Sequence, residues 1–184
     1  DGNIIIAGIT DSTDFPIKNA YQENINAENR GSYDIFITKL SKDGQEIIFS
    51  TYFGGYSADW CYALAVSNEN HIAITGTTYS LDLPVQNAHQ NDSRSMADAY
   101  LSVFQPDGQS LVFSTYLGGE KNDQGRGLAF DSNNAVYITG KTNEYLDSSE
   151  SFQSSIGGFC DAYLAKYQIS GNRDFFTFLG GSKT

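Results

Sequence analysis

The 184-residue sequence predicts an all-β fold assembled from repeated four-stranded antiparallel meanders. Three observations predict it. A phrase recurs: "STYFGGYSADWCYALAV" at 50–66 returns as "STYLGGEKNDQGRGLAF" at 114–130 and begins again as "FTFLGGSKT" at 176–184. The apolar runs between these phrases are short, rich in β-branched and aromatic residues, and free of a 3.6-residue period. The links between runs are turn chemistry, "NEN" at 68–70 and "PDG" at 106–108 among them.

Each repeat contains the same pieces in the same order, at a spacing of roughly 62–68 residues. "IAGI" at 6–9 corresponds to "AITG" at 73–76 and "YITG" at 137–140. "YDIFITKL" at 33–40 corresponds to "ADAYLSVF" at 97–104 and "CDAYLAKY" at 160–167, and "KDGQ" at 42–45 to "PDGQ" at 106–109 and "SGNR" at 170–173. In the middle copy the four strands are "CYALAVS", "HIAITGTT", "DAYLSVF" and "SLVFSTYLG". Three of the four links are short, so consecutive strands pair as a meander. The link from the second strand to the third is long, as at 11–32, 77–97 and 141–159.

The strands are apolar on both faces. Tyr100 and Phe104 alternate with Leu101 and Val103, and Phe49 and Phe53 with Ile48 and Tyr52. A sheet with one wet face carries polar residues on that face, so each meander here is expected to lie between two others. Four-stranded meanders stacked face to face constitute a β-propeller. The strand count gives about two and three-quarter blades: 1–55 lacking its first strand, then 56–119 and 120–184, together one propeller segment. Closed propellers carry about four to eight blades, so the predicted ring is incomplete. A bare four-stranded face of about 300 Å² forgoes roughly 7–8 kcal/mol of burial. The expected cover is the remaining blades of a longer chain, of which this is a cut segment, or a second copy.

"GNIIIAGITDSTDFP", "AYQ", "DIFITKL", "DGQ" and "FSTYFGG" resemble, in order, the units of the bacterial SBBP-type β-propeller repeat. The resemblance spans essentially the whole chain. The third copy departs from it, since 142–153 lacks the proline of "DFP". The resemblance implies a secreted or surface-exposed bacterial protein and leaves the ligand open, because a fold does not fix a function.

Composition bounds the partners. A formal charge of −11 disfavours nucleic acid and anionic lipid. The longest early apolar run, "IIIAGI" at 4–9, is strand-sized rather than membrane-sized, and no membrane insertion is expected. The chain opens on "DGN" without a signal-peptide pattern and reads as a mature or excised segment. Cys61 and Cys160 fall at different places in the repeat, without zinc-ligand spacing, and are expected as ordinary half-buried thiols.

By analogy with propellers of this strand order, the first strand of each blade lines the channel, and the long loops share one face with the Gly-Gly loops at 54–60 and 118–124. That face is where a ligand is expected. Its candidate ligand-binding residues are Asp59, Trp60, Asp123 and Gln124. Asp59 and Asp123 are equivalent, and two readings stand: carboxylates offered to a cation or a sugar hydroxyl, or caps on backbone N–H groups. Capping is the stronger reading for Asp34, Asp98 and Asp161. Trp60, the sole tryptophan, reads as a sugar platform or as one more packed aromatic. His89 occupies the slot of Tyr21 and Phe152 and is expected to pack among aromatics, while His71 has no catalytic partner at motif spacing. No nucleophile elbow, zinc motif or phosphate loop is present, so neither catalytic residues, cofactor nor metal are expected. The expected function is a non-catalytic extracellular or cell-surface module binding protein or glycan. The alternatives are a fragment of a polysaccharide-acting propeller enzyme and a structural spacer in a surface array.

Overall fold

A computed structural model describes residues 2–27, 32–143 and 151–182. Among them are eleven strands and no helix. The first sheet is β1 (Ile4–Thr10), β2 (Asp34–Leu40) and β3 (Ile47–Phe53). The second is β4 (Asp59–Val66), β5 (Ile72–Thr78), β6 (Asp98–Phe104) and β7 (Leu111–Leu117). The third is β8 (Asp123–Phe130), β9 (Val136–Thr142), β10 (Asp161–Tyr167) and β11 (Arg173–Leu179). Every sheet is an antiparallel meander in chain order, and the three do not close a ring.

Alternation along the strands divides the core into two layers. Between the first and second sheets, Ile35, Ile37, Phe49 and Phe53 meet Ile72, Ile74, Tyr100, Phe104 and Tyr116. Between the second and third, Leu101, Val103, Phe113 and Leu117 meet Val136, Ile138, Tyr163, Tyr167 and Phe178. The middle sheet is therefore covered on both faces, and every residue of β5 and β6 is buried. The end sheets are not. Ile4 and Ile6 of the first are 42% and 43% exposed, and Leu179 of the third is 50% exposed.

The repeated phrases perform repeated bonds. In "AYQ", the Gln22 side chain accepts from the Gly54 N–H (3.2 Å) and donates to the Asn24 carbonyl (3.0 Å). Gln90 does the same with Gly118 and Asp92, and Gln153 with Gly180 and Ser155. In "STY", the Thr51 and Thr115 hydroxyls accept from the backbone of Gln22 and Gln90. The Tyr52 and Tyr116 hydroxyls donate to the Ser12 and Ser80 carbonyls, and accept from the Phe15 and Leu83 N–H groups of the "DFP" and "DLP" turns. The third copy carries Phe178 in place of this tyrosine. Most of its altered "DFP" segment lies outside the described residues.

One expectation fails. Cys61 is half-buried, and burial pushes its thiol up to about 11, but Cys160 is exposed. The positions equivalent to Cys160 are Tyr33 and Ala97. Their carbonyls accept from Asp59 and Asp123, which open the following blade's first strand. No such strand follows the third sheet among the described residues, so Cys160 stays open.

Candidate ligand-binding face

The Gly-Gly loop is where three parts of the repeat meet. Asp34, at the start of β2, accepts on Oδ2 from the Asn26 N–H at 2.7 Å. Asp59, at the start of β4, accepts on Oδ2 from the Gly55 N–H (2.8 Å) and the Ser80 hydroxyl (2.9 Å). Gly54 lies between them: a Cβ there would sit 2.6 Å from Asp34 Oδ1 and 2.8 Å from Asp59 Oδ2. A side chain is thus excluded by two carboxylates, which is why the phrase needs glycine. Gly118 repeats the arrangement, at 2.7 Å from Asp98 Oδ1 and 2.8 Å from Asp123 Oδ2. Asp98 and Asp161 cap their long loops as Asp34 does, through the N–H groups of Arg94 and Gly157.

Asp59 and Asp123 are wholly buried, and Asp123 accepts from the Gly119 N–H at 2.9 Å. Both carboxylates face into the loop backbone, in the geometry of a cap. Burial is the largest cause that raises the Asp59 carboxyl to about 7 and the Asp34 carboxyl to about 6; the Asp34 charge pushes Asp59 further, and Asp82 pushes Asp34. Trp60 is half-buried, its ring 5.7 Å from that of Tyr33. The Gln124 side-chain oxygen accepts from Arg126. Of the two histidines, His89 packs edge-on to Tyr167 at 6.2 Å, and His71 closes a turn beside Ser67. No three His, Cys, Asp or Glu side chains group as metal ligands among the described residues.

What reaches solvent on this face is different. The loop at 54–58 is stitched to the long loop that follows β5: Tyr56 N–H donates to Asp82, Ser57 N–H to the Ser80 hydroxyl, and Tyr79 N–H to the Ala58 carbonyl. These bonds hold Tyr56 and Tyr79 together. With Leu81 and Met96 from the same long loop they line an open groove of about 420 Å³. Tyr56 and Tyr79 are 39% and 44% exposed, Leu81 61% and Met96 82%, an unusual concentration of apolar surface for loops. Sequence reasoning missed all four. The signal for three of them was departure from the repeat: Tyr56 aligns with Glu120, Tyr79 with Asp11 and Asn143, and Leu81 with Thr13, whereas Met96 aligns with Ser32 and Phe159.

A second feature lies on the inner strands. β4 and β8 each carry a bulge at the same place, between Cys61 and Ala63 and between Gly125 and Gly127. The extra residues, Tyr62 and Arg126, are both exposed, with the guanidinium 4.4 Å from the ring centroid. Two inner strands are thereby joined by a cation–π contact on their open side.

Comparison with known proteins agrees with the architecture. Residues 112–146, from β7 to just beyond β9, match the family model of the SBBP beta-propeller repeat. Over 174 residues the chain is 25% identical to Regulatory protein FlaEY of Caulobacter vibrioides. That match covers 94% of this chain and 17% of the relative, so the chain spans about a sixth of that protein's length.

Proposed function

We propose that this β-propeller segment, carrying an SBBP repeat at 112–146, is a non-catalytic recognition module that binds a protein through the groove of Tyr56, Tyr79, Leu81 and Met96. The groove carries the reading. Two tyrosines on a hydrogen-bonded loop pair offer rigid area at small entropic cost, and Leu81 and Met96 supply adaptable apolar contact. A protein surface uses all four. A glycan is the second reading, supported by Tyr56 and Tyr79 alone, which suit stacking on a sugar ring.

The non-catalytic part of the proposal is supported by the state of the carboxylates. The Oδ2 atoms of Asp59 and Asp123 are occupied by loop N–H groups, and among the described residues no acid lines the groove. Resemblance to repeats of secreted and surface proteins supports an extracellular or cell-surface location, and a relative described as a regulatory protein accords with action by contact.

The test places a photoreactive side chain at position 81 and presents the chain to secreted proteins of its source and, separately, to a glycan panel. Crosslinking to one protein that is lost in the Tyr56→Ala/Tyr79→Ala variant supports the first reading. Glycan binding lost in the same variant supports the second. Capture unchanged by that variant, or no capture of either kind, overturns the groove as the site.

A further inference from the structure

The two blade–blade junctions differ in the filling of one aromatic slot. At the first junction an aromatic slot is filled by Tyr21, Phe53 and Phe104. Tyr21 and Phe104 meet edge-on at 5.7 Å, Phe53 and Phe104 at 5.2 Å, and Tyr21 and Phe53 lie 6.2 Å apart. The same three positions at the second junction hold His89, Leu117 and Tyr167. Tyrosine to histidine and phenylalanine to leucine both withdraw volume. A cavity of about 80 Å³ is found there.

The other substitutions in this slot are all toward donors. Arg94 stands where the first junction has Asn26, Arg173 where it has Leu111, and Tyr167 adds a hydroxyl to Phe104. His89, Arg94, Tyr167 and Arg173 all line the cavity, with Gln90, and among the described residues no carboxylate does. Two of the chain's four arginines thus converge on one small space in a protein of net charge −11. His89 and Arg94 are exposed, and Arg94 forms no ion pair among the described residues. Tyr167 is wholly buried. Its hydroxyl makes no hydrogen bond of ordinary geometry, although the Arg173 charge beside it counters part of the upward push that burial gives its pKa.

We propose that this inter-blade cavity is a binding site for a small oxyanion: a carboxylate, or the tetrahedral head of a phosphate or sulfate. About 80 Å³ is several times the roughly 10–15 Å³ needed to admit a single water, which leaves room for a small charged group. Guanidinium groups match such oxygens in planar, bidentate fashion. Anion binding at this place ties the second blade to the third, since Arg94 and His89 belong to one and Arg173 and Tyr167 to the other.

The experiment is isothermal titration of the 184-residue chain with inorganic phosphate, sulfate and acetate at constant ionic strength in chloride, with thermal melts alongside. Saturable binding of at least one anion is expected, with a rise in Tm. Arg94→Gln, a change to an exposed side chain, is expected to weaken it roughly tenfold or more, the value of one charge-assisted hydrogen bond. The double variant His89→Tyr/Leu117→Phe refills the slot as at the first junction and should abolish binding while folding normally. Preference for acetate assigns a carboxylate ligand, and preference for phosphate or sulfate a tetrahedral one. No saturable binding of any of the three, or equal affinity in wild type and Arg94→Gln, overturns the proposal.

Discussion

Asp59 is a buried carboxyl with two hydrogen-bond donors and two carboxylate neighbours, Asp34 across Gly54 and Asp82 beyond Gly55. Its folded pKa of about 7 lies above the usual aspartate value of 3.8, with burial as the main cause. A carboxyl shifted upward binds its proton more tightly in the folded state. Its contribution is therefore fully present below about pH 4 and is lost as pH rises toward 7. Asp34, raised to about 6 mainly by burial, adds a smaller effect of the same sign. On account of Asp59 alone, stability to urea is expected to fall by on the order of 2–3 kcal/mol between pH 5 and pH 8. Asp59→Asn keeps an acceptor for the Gly55 N–H and removes the charge, so its stability should change much less over that range. An equal slope in wild type and variant would show that Asp59 does not titrate there. The residue types at the Gly-Gly loop were legible in the sequence, including the choice between cap and ligand. What the sequence withheld was the direction in which the carboxylates face. That direction depends on how the loop curls around Gly54, and the curl is set by Asp34 and Gln22, both distant in sequence.

At the scale of the element, a blade's phrases are legible because each is one half of a bond whose other half recurs with it. "STY" and the turn after "S-x-D" belong together: the Tyr116 hydroxyl serves both the Ser80 carbonyl (2.9 Å) and the Leu83 N–H (2.8 Å), in a site with no access to water. Tyr116→Phe leaves both backbone groups unsatisfied, at about 1–3 kcal/mol each. Tyr52 makes the same two bonds in the first sheet, but Ser12 is exposed and Phe15 only half-buried, so water replaces what Tyr52→Phe removes. Tyr116→Phe is accordingly expected to cost about 2–4 kcal/mol and Tyr52→Phe about 1 kcal/mol or less. Urea denaturation of the two variants decides it. Similar losses would mean that the hydroxyls act through something other than the turn. The groove of Tyr56, Tyr79, Leu81 and Met96 was hidden for the complementary reason. A reading tuned to what repeats passes over positions where the copies differ, as Tyr56 does from Glu120 and Tyr79 from Asp11 and Asn143.

At the scale of the whole molecule, the period-two alternation announced that each sheet lies between two others, and the described chain provides that for the middle sheet only. The outer face of the first sheet presents Ile4, Ile6 and Ile48, each 36–43% exposed. The outer face of the third presents Leu164, Phe175 and Leu179 at positions where the second sheet buries Leu101, Phe113 and Leu117. Lys166 sits on that same face, paired with Asp131 and Asp174. Its counterpart in the first sheet is Lys39, which is buried at the first junction and donates to the Pro106 carbonyl of the next blade at 3.4 Å. A lysine at this position is therefore compatible with a packed junction and does not mark a finished surface. Each open face retains most of a blade's worth of unburied area, several kcal/mol at about 25 cal/mol per Å². The 184-residue chain in isolation is expected to associate end to end, the first sheet of one copy against the third of another, with a mass by light scattering that grows with concentration. Ile4→Lys/Ile6→Lys places charge on one of the two faces without touching the core and should return the chain to monomer with an unchanged strand signal in circular dichroism. A chain that stays monomeric at all concentrations and binds no hydrophobic dye would mean that these faces are stable in water. Association unaffected by the double variant would place the contact elsewhere.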